Sequence, residues 1–184
     1  MQCIAKVERG QSVLINGASG SLGTAAIQLA KYFGAEVTAV CSSRNINFVK
    51  SLGADHAIDY TTQDFTKTNQ KFDIIYDTIG ASSFNKCKKA LTDNGQYLSP
   101  VLDFGILFQM LYTSKLTKKK AKFSATGFKS IEEIKSLLEA VTTLIENNKL
   151  IVNIDKTFSL EEIDKAHQLV DTGRKRGNIA LTIN

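Results

Sequence analysis

The chain has no tryptophan, one proline and only two histidines in 184 residues. One proline and 12 glycines exclude a proline- or glycine-rich disordered chain. The three cysteines, Cys3, Cys41 and Cys87, are odd in number and scattered, which excludes a disulfide framework and points to a reducing, cytoplasmic setting. His56 and His167 stand alone and no cysteines are closely spaced, so no metal-ligand set is in view. Lys6, Glu8 and Arg9 argue against a secretory signal, and the longest uncharged apolar run, Phe104 to Ser114, is about half a membrane span. No membrane partner is expected. The formal charge of +5 admits acidic or phosphorylated ligands without demanding nucleic acid. The densest basic run, from Lys115 to Lys122, carries no interleaved aromatics, so a stacking platform for nucleic acid is not predicted. It reads as a solvated turn, and so does Arg174-Lys175-Arg176.

What is present is an alternation of short apolar runs and helical periodicity. Strands are predicted at Gln11 to Asn16, Glu36 to Cys41, His56 to Tyr60, Phe72 to Ile79, Gln96 to Ser99 and Lys122 to Thr126. Helices are predicted at Leu22 to Phe33, Asn45 to Leu52 and Ser82 to Leu91, with Asn94-Gly95 as a turn; Val101 to Leu116 reads as a partly buried helix or lid. Ser130 to Asn147 is the strongest helix, with Ser130 and Glu133 spaced as a capping box and an apolar stripe from Ile131 to Ile145. Strands alternating with helices predict an α/β fold, a doubly wound parallel sheet of about six strands in the order 3-2-1-4-5-6. After Asn148 a shorter β-α-β tail is expected, from an extended Leu150 to Phe158 through a helix at Leu160 to Thr172 to a strand at Asn178 to Ile183.

The sharpest motif is Gly17-Ala18-Ser19-Gly20-Ser21-Leu22-Gly23, between the first strand and the first helix. A helix start offers unpaired N–H groups and a partial positive charge, and glycines let backbone approach a diphosphate. The G-x-x-G-x-x-G spacing is a relative of the dinucleotide fingerprint G-x-G-x-x-G, and no Gly-Lys-Ser/Thr follows to make it a P-loop. An NAD site usually carries an acid at the end of strand two, about 20 residues on. Here Glu36 opens that strand, at the far edge of the sheet, and the end reads Cys41-Ser42-Ser43-Arg44-Asn45. An arginine with two hydroxyls suits a ribose 2′-phosphate, so NADP(H) is predicted over NAD(H). The same arginine argues against an S-adenosylmethionine site. Asp73 and Asp77 lie at opposite ends of strand four and form no acid/base pair. No catalytic residue is assigned.

Taken together, the segments GASGSLGTAAIQLAKYFGAEVTAVCSSRN, SLGADHAIDY, FDIIYDTIG and GRKRGNIALTI resemble the zinc-independent, quinone-oxidoreductase-like branch of the medium-chain dehydrogenase/reductase superfamily. The short-chain dehydrogenases fit less well: their middle glycine falls one place later and they need Tyr with Lys four residues on, whereas Tyr112 has Lys115 at three and Leu116 at four. The resemblance implies hydride transfer from NADPH to a quinone, enone or related small carbonyl. It implies that Gly20, Ser21, Leu22 and Gly23 carry the diphosphate together with Gly17 and Ser19. Ser42, Ser43 and Arg44 would take the 2′-phosphate, and Tyr60 the adenosine end. Ile79, Gly80, Pro100, Val101, Thr126, Gly127 and Phe128 would lie along the ribose and nicotinamide. It admits a homodimer through sheet edges. Family members carry a catalytic domain ahead of the nucleotide-binding one, so residues 1–148 read as the NADP(H)-binding domain and 149–184 as the tail that returns to the missing domain. The chain reads as a piece of a longer enzyme, or as a truncation that binds cofactor without turnover.

Overall fold

The computed structural model describes residues 6–124 and 130–183. Its core is one parallel sheet of β1 (Ser12–Asn16), β2 (Glu36–Cys41), β3 (His56–Asp59), β4 (Phe72–Asp77), β5 (Leu91–Ser99) and β6 (Lys120–Phe123). The order is β3-β2-β1-β4-β5-β6, as the alternating pattern predicts. Helices α1 (Ser21–Tyr32), α2 (Ile46–Ser51), α3 (Phe84–Cys87) and α4 (Phe104–Leu116) connect the strands and cover both faces. Central β1 is apolar on both sides: Val13, Leu14 and Ile15 have no solvent exposure. Strand periodicity divides its side chains between two cores. Val13 and Ile15 join Ala26, Ile27 and Ala30 of α1, while Leu14 joins Phe72, Ile75, Phe84 and Tyr97 on the opposite face.

Several predicted elements differ. The helix expected over Ser82 to Leu91 is only the single turn of α3, because Leu91 is drawn into the sheet opposite Phe72, where the amide of Phe72 donates to the carbonyl of Ala90 at 2.8 Å. Asn94-Gly95 then lies inside β5, in a register shift that moves the pairing from Leu91↔Phe72 to Gln96↔Ile74. The segment Val101 to Leu116, read as a partly buried helix or lid, holds a regular helix from Phe104, capped by the carboxylate of Asp103 on the amide of Ile106 at 2.7 Å. The sixth strand starts two residues earlier than expected, at Lys120.

Helix α5 (Ile131–Glu146) forms as read, with Ser130 and Glu133 bonding each other's amides in a capping box. Its chain end turns through Asn148, at φ +54°, in the left-handed conformation common after helices. The apolar stripe is not enclosed among the described residues: Leu137, Val141 and Leu144 are half-buried and Ile131 and Leu138 exposed.

The tail folds as β7 (Ile154–Ser159), a 3₁₀ turn at Leu160–Glu162, α6 (Ile163–Asp171) and β8 (Asn178–Thr182). β7 and β8 form their own parallel pair and do not extend the large sheet. Several contacts hold the tail to the core. Gln28 of α1 exchanges both amide hydrogen bonds with the backbone of Ile151, at 2.8 and 3.0 Å. The amide of Gly177 donates to the carbonyl of Ser19 at 2.9 Å, inside the glycine loop.

Helix α1 lies so close to β1 that Gly23 has no room for a side chain. A Cβ there would meet the Gly17 carbonyl oxygen at 2.3 Å and the Ala18 backbone at 2.6 Å. Gly23→Ala is expected to lower stability by about 1–3 kcal/mol through overpacking against backbone that cannot yield; a fall in the urea midpoint at unchanged slope is the measurement.

Candidate functional site

The sheet order reverses between β1 and β4, and a doubly wound sheet opens a crevice at the carboxyl ends of the strands there. A cleft of about 650 Å³ lies at this point. Gly17, Ser19, Gly20, Ser21 and Leu22 form its floor, Ser42, Arg44 and Tyr60 one side, and Ile79 the other. The structure thus gathers nine of the sequence-predicted residues around one hollow.

The floor is a crook between a strand and a helix. Gly17 sits at φ +77°, and a Cβ on it would strike Thr78 Oγ1 at 2.6 Å and Ile79 Cγ2 at 2.7 Å. Gly20 is different: a Cβ there would meet nothing closer than 3.5 Å, so its freedom serves space on the cleft side, not packing. As the N-cap of the 12-residue α1, it has no side chain to cap the helix, and no acid lies in the first turn. The positive end of the helix is therefore unshielded by side chains.

Other predicted residues fall elsewhere. Gly23 is buried beneath the crook, where it lets α1 approach β1. Ser43 does not line the cleft and instead hydrogen-bonds Asp59, whose carboxyl is held below its ordinary range, mainly by Thr61 and further by Ser43. Gly80 and Val101 touch each other in a separate hollow of about 70 Å³ with Ser82, Tyr97, Ser99 and Asp103. Pro100, half-buried, lines neither. Thr126, Gly127 and Phe128 lie outside the described residues. Glu36 is at the far edge, its carboxylate 2.9 Å from His56 Nε2.

The structure adds residues to which the sequence reading gave no role in the site. Asn16, Val40, Cys41, Asn45 and Thr78 complete the inner surface, and Thr172, Gly173, Arg174 and Lys175 form an outer wall. The turn read as merely solvated charge is part of the cleft. Its carrier is the bond from Gly177 to Ser19, a contact across 158 positions that no local spacing encodes. Lys175 Nζ donates to Ser21 Oγ at 2.5 Å and to the Gly177 carbonyl at 2.6 Å, while Ser21 Oγ donates to the same carbonyl at 2.8 Å. A lysine ammonium thus stands at the positive end of a helix. Burial lowers its pKa from the ordinary value, with Asp155 partly opposing. Arg44, Arg174 and Lys175 line the cleft and no carboxylate does so among the described residues. Cys41, also on the wall, has its thiol pushed up to about 11 by burial and then by Asp59, so it stays a neutral thiol at pH 7.

Behind the floor is a buried polar cluster. Asp77, with no exposure, accepts from Asn16 Nδ2 at 3.0 Å, from the Ser82 amide at 2.7 Å and from Tyr97 OH at 3.0 Å. Burial, then the Asp77 charge, drives the Tyr97 phenol upward, so it remains a donor. This cluster ties the ends of β1, β4 and β5 together at the switch point.

A doubly wound sheet with an anion-ready crook at its switch point defines a nucleotide-binding α/β domain of the dehydrogenase type. The chain belongs to the zinc-binding dehydrogenase family, whose model matches residues 52–181, and within it to the quinone-oxidoreductase-like branch of the medium-chain superfamily. It is 32% identical to the protein from Mus musculus named NAD(P)H oxidoreductase RTN4IP1, mitochondrial, over 95% of this chain and 48% of that one. It is 31% identical to a 2-methylene-furan-3-one reductase of Solanum lycopersicum, over 94% of this chain and 40% of that one. The solved structure of the quinone oxidoreductase from Coxiella burnetii superposes with a TM-score of 0.83 at 30% identity, covering 98% of this chain and 55% of that chain. The chain spans about half the length of the curated relatives it matches.

Despite the family's name, the donor set for zinc does not fit. Among the described residues no three His, Cys, Asp or Glu side chains come together, and no step is drawn through a metal. A nicotinamide dinucleotide does fit the donors present, which are unshielded helix amides, three cations and an open Gly20. No helix among the described residues is long and apolar enough to cross a membrane.

Asp77→Ala would leave the Tyr97 hydroxyl, the Ser82 amide and Asn16 Nδ2 without their buried acceptor. Loss of about 2–4 kcal/mol is expected, with partial recovery in Asp77→Asn, read from chemical denaturation.

Proposed function

We propose that this chain binds NADP(H) and forms the nucleotide half of a reductase acting on a quinone, enone or related small carbonyl. The observation that carries the reading is the charge of the cleft: three cations and a bare helix start, with no lining carboxylate among the described residues. A ribose 2′-hydroxyl site would want an acid where Arg44 stands. Gly17, Ser19, Gly20, Ser21 and Leu22 would hold the diphosphate with Lys175, and Gly23 lets the helix start come close enough to do so. Ser42 and Arg44 would take the 2′-phosphate, Ser43 bracing their turn through Asp59. Exposed Tyr60 and Leu22 offer apolar surface for the adenosine, and exposed Ile79 for the ribose and nicotinamide. Gly80, Pro100, Val101, Thr126 and Gly127 complete that far end by resemblance.

When bound, the reduced nicotinamide supplies the hydride. The chain's own residues orient it and keep water from it. In this reading residues 1–148 form most of the cofactor unit, and 149–184 are the tail that adds Lys175 to it and meets the catalytic domain. A second copy would join beside β6 at the end of the sheet order, where α4 leaves Phe104, Phe108 and Leu111 exposed. We keep the cytoplasm as its compartment, supported by the free, buried thiols of Cys41 and Cys87. A second reading is a nucleotide-binding module without turnover.

Titration with NADPH and NADH tests the assignment. NADPH is expected to bind more tightly, and Arg44→Ala to lose about 1.5–3 kcal/mol for NADPH while leaving NADH unchanged. Equal affinities that ignore the substitution would remove the assignment; quinone-dependent NADPH oxidation separates the enzyme from the silent module. Lys175 adds a pH test. Its free-state pKa is depressed and a bound diphosphate would raise it, so affinity is full below the free pKa and declines as pH rises through it. Lys175→Arg, which does not titrate in this range, is expected to hold affinity to higher pH. Cys41 is common to both proteins, so the difference between their profiles isolates Lys175.

A further inference from the structure

The tail turn brings two more arginines to the 2′ end of the cleft, and their contacts divide their roles. Arg174 lines the cleft with Arg44, and Arg44 Nη2 donates to the Arg174 carbonyl at 3.4 Å. Arg176 instead spends its guanidinium on protein atoms: Nε donates to Asn45 Oδ1 at 2.8 Å and Nη2 to the Arg44 carbonyl at 3.3 Å. Asn45, 4% exposed, passes the connection on, its Nδ2 donating to Ser19 Oγ at 3.0 Å. Asp155, the carboxylate bonded to this turn, accepts from the Arg176 amide at 3.0 Å and does not line the cleft. Three like charges therefore meet at one junction, and among the described residues none is in a salt bridge with a carboxylate. Such a junction suits an anion of more than one charge, and a phosphomonoester carries about −1.5 to −2 at pH 7.

We propose that the phosphate end of the cleft is a two-guanidinium clamp split between the two parts of the chain, Arg44 from the sheet and Arg174 from the tail, with Arg176 as the positioning residue that sets one against the other. The ligand chemistry is a phosphomonoester on an adenosine ribose. The proposal rests on the dinucleotide reading and extends it: selectivity for the tagged adenylate then belongs to the tail as much as to the end of β2. A fork of N–H donors from each side suits the tetrahedral phosphate, whereas one arginine would leave part of its charge unmatched. Arg176 touches no ligand in this scheme. It fixes the 3₁₀ turn Ser43–Asn45, and hence Arg44, relative to the glycine loop.

The test is calorimetric titration of the full chain and its variants with 2′,5′-ADP, 3′,5′-ADP and 5′-ADP. The full chain is expected to prefer 2′,5′-ADP over 5′-ADP by at least about tenfold, in line with charge-assisted bonding. Arg174→Ala is expected to remove about tenfold of that preference and leave 5′-ADP affinity unchanged, which loss of folding would not do. Arg176→Ala and the milder Arg176→Lys are expected to reduce the same ratio, although neither removes a ligand contact. A full chain indifferent to the extra phosphate overturns the clamp together with the NADP(H) reading. A selective chain whose ratio survives Arg174→Ala overturns the clamp alone, and an unchanged ratio in both Arg176 variants overturns the positioning role. Preference for 3′,5′-ADP would sustain the clamp and overturn its assignment to the 2′-phosphate.

Discussion

The close approach of α1 to β1 is the constraint on which the rest of the molecule depends. It requires Gly23 to have no side chain, because the Gly17 carbonyl and the Ala18 backbone occupy the place a Cβ would take. Gly17, at positive φ beneath Thr78 and Ile79, turns the chain tightly enough for that approach. The result is a helix whose first amides emerge at the switch point of the sheet with no side-chain cap and no acid nearby. In the proposed reading the diphosphate uses that unshielded positive end. The buried carboxylate of Asp77 works behind it, joining β1, β4 and β5 so that the crevice keeps its width.

Much of this was legible because it is local. The G-x-x-G-x-x-G spacing, the apolar runs and the capping box of α5 are patterns within a few residues, and the strand order follows from their alternation. Arg44 is legible for the same reason, since it follows directly on β2. What escaped was set by contact across the chain. The turn 172–175 reads as plain surface charge until Gly177 is seen bonded to Ser19. Ser43 looks equivalent to Ser42 until Asp59, on another strand, turns it away. Residues 88–91 have helical composition, but Ala90 and Leu91 are worth more buried beside Phe72 than as another turn of α3.

The apolar surfaces are as informative as the charges. On the core sheet, strands buried on both faces leave little room for ambiguity. Along α4, α5 and the β7–β8 pair, by contrast, Phe104, Leu111, Leu138 and Ile154 are exposed. These elements follow the same periodic rules as the buried ones, so periodicity marks which face is apolar without saying what meets it. That distinction separates the nucleotide cleft, which the described residues enclose on three sides, from the outer faces of the helices.

The placement of residues 172–177 bears on how the molecule is made. During synthesis the six strands and the glycine crook leave the ribosome first, and they have their own hydrophobic cores. The outer wall of the cleft is translated last among these parts. A nascent chain would therefore expose a bare, positively charged helix start until Gly177 emerges to pair with Ser19. In the proposed reading, coenzyme captured at that moment would favour the docked arrangement over the open one.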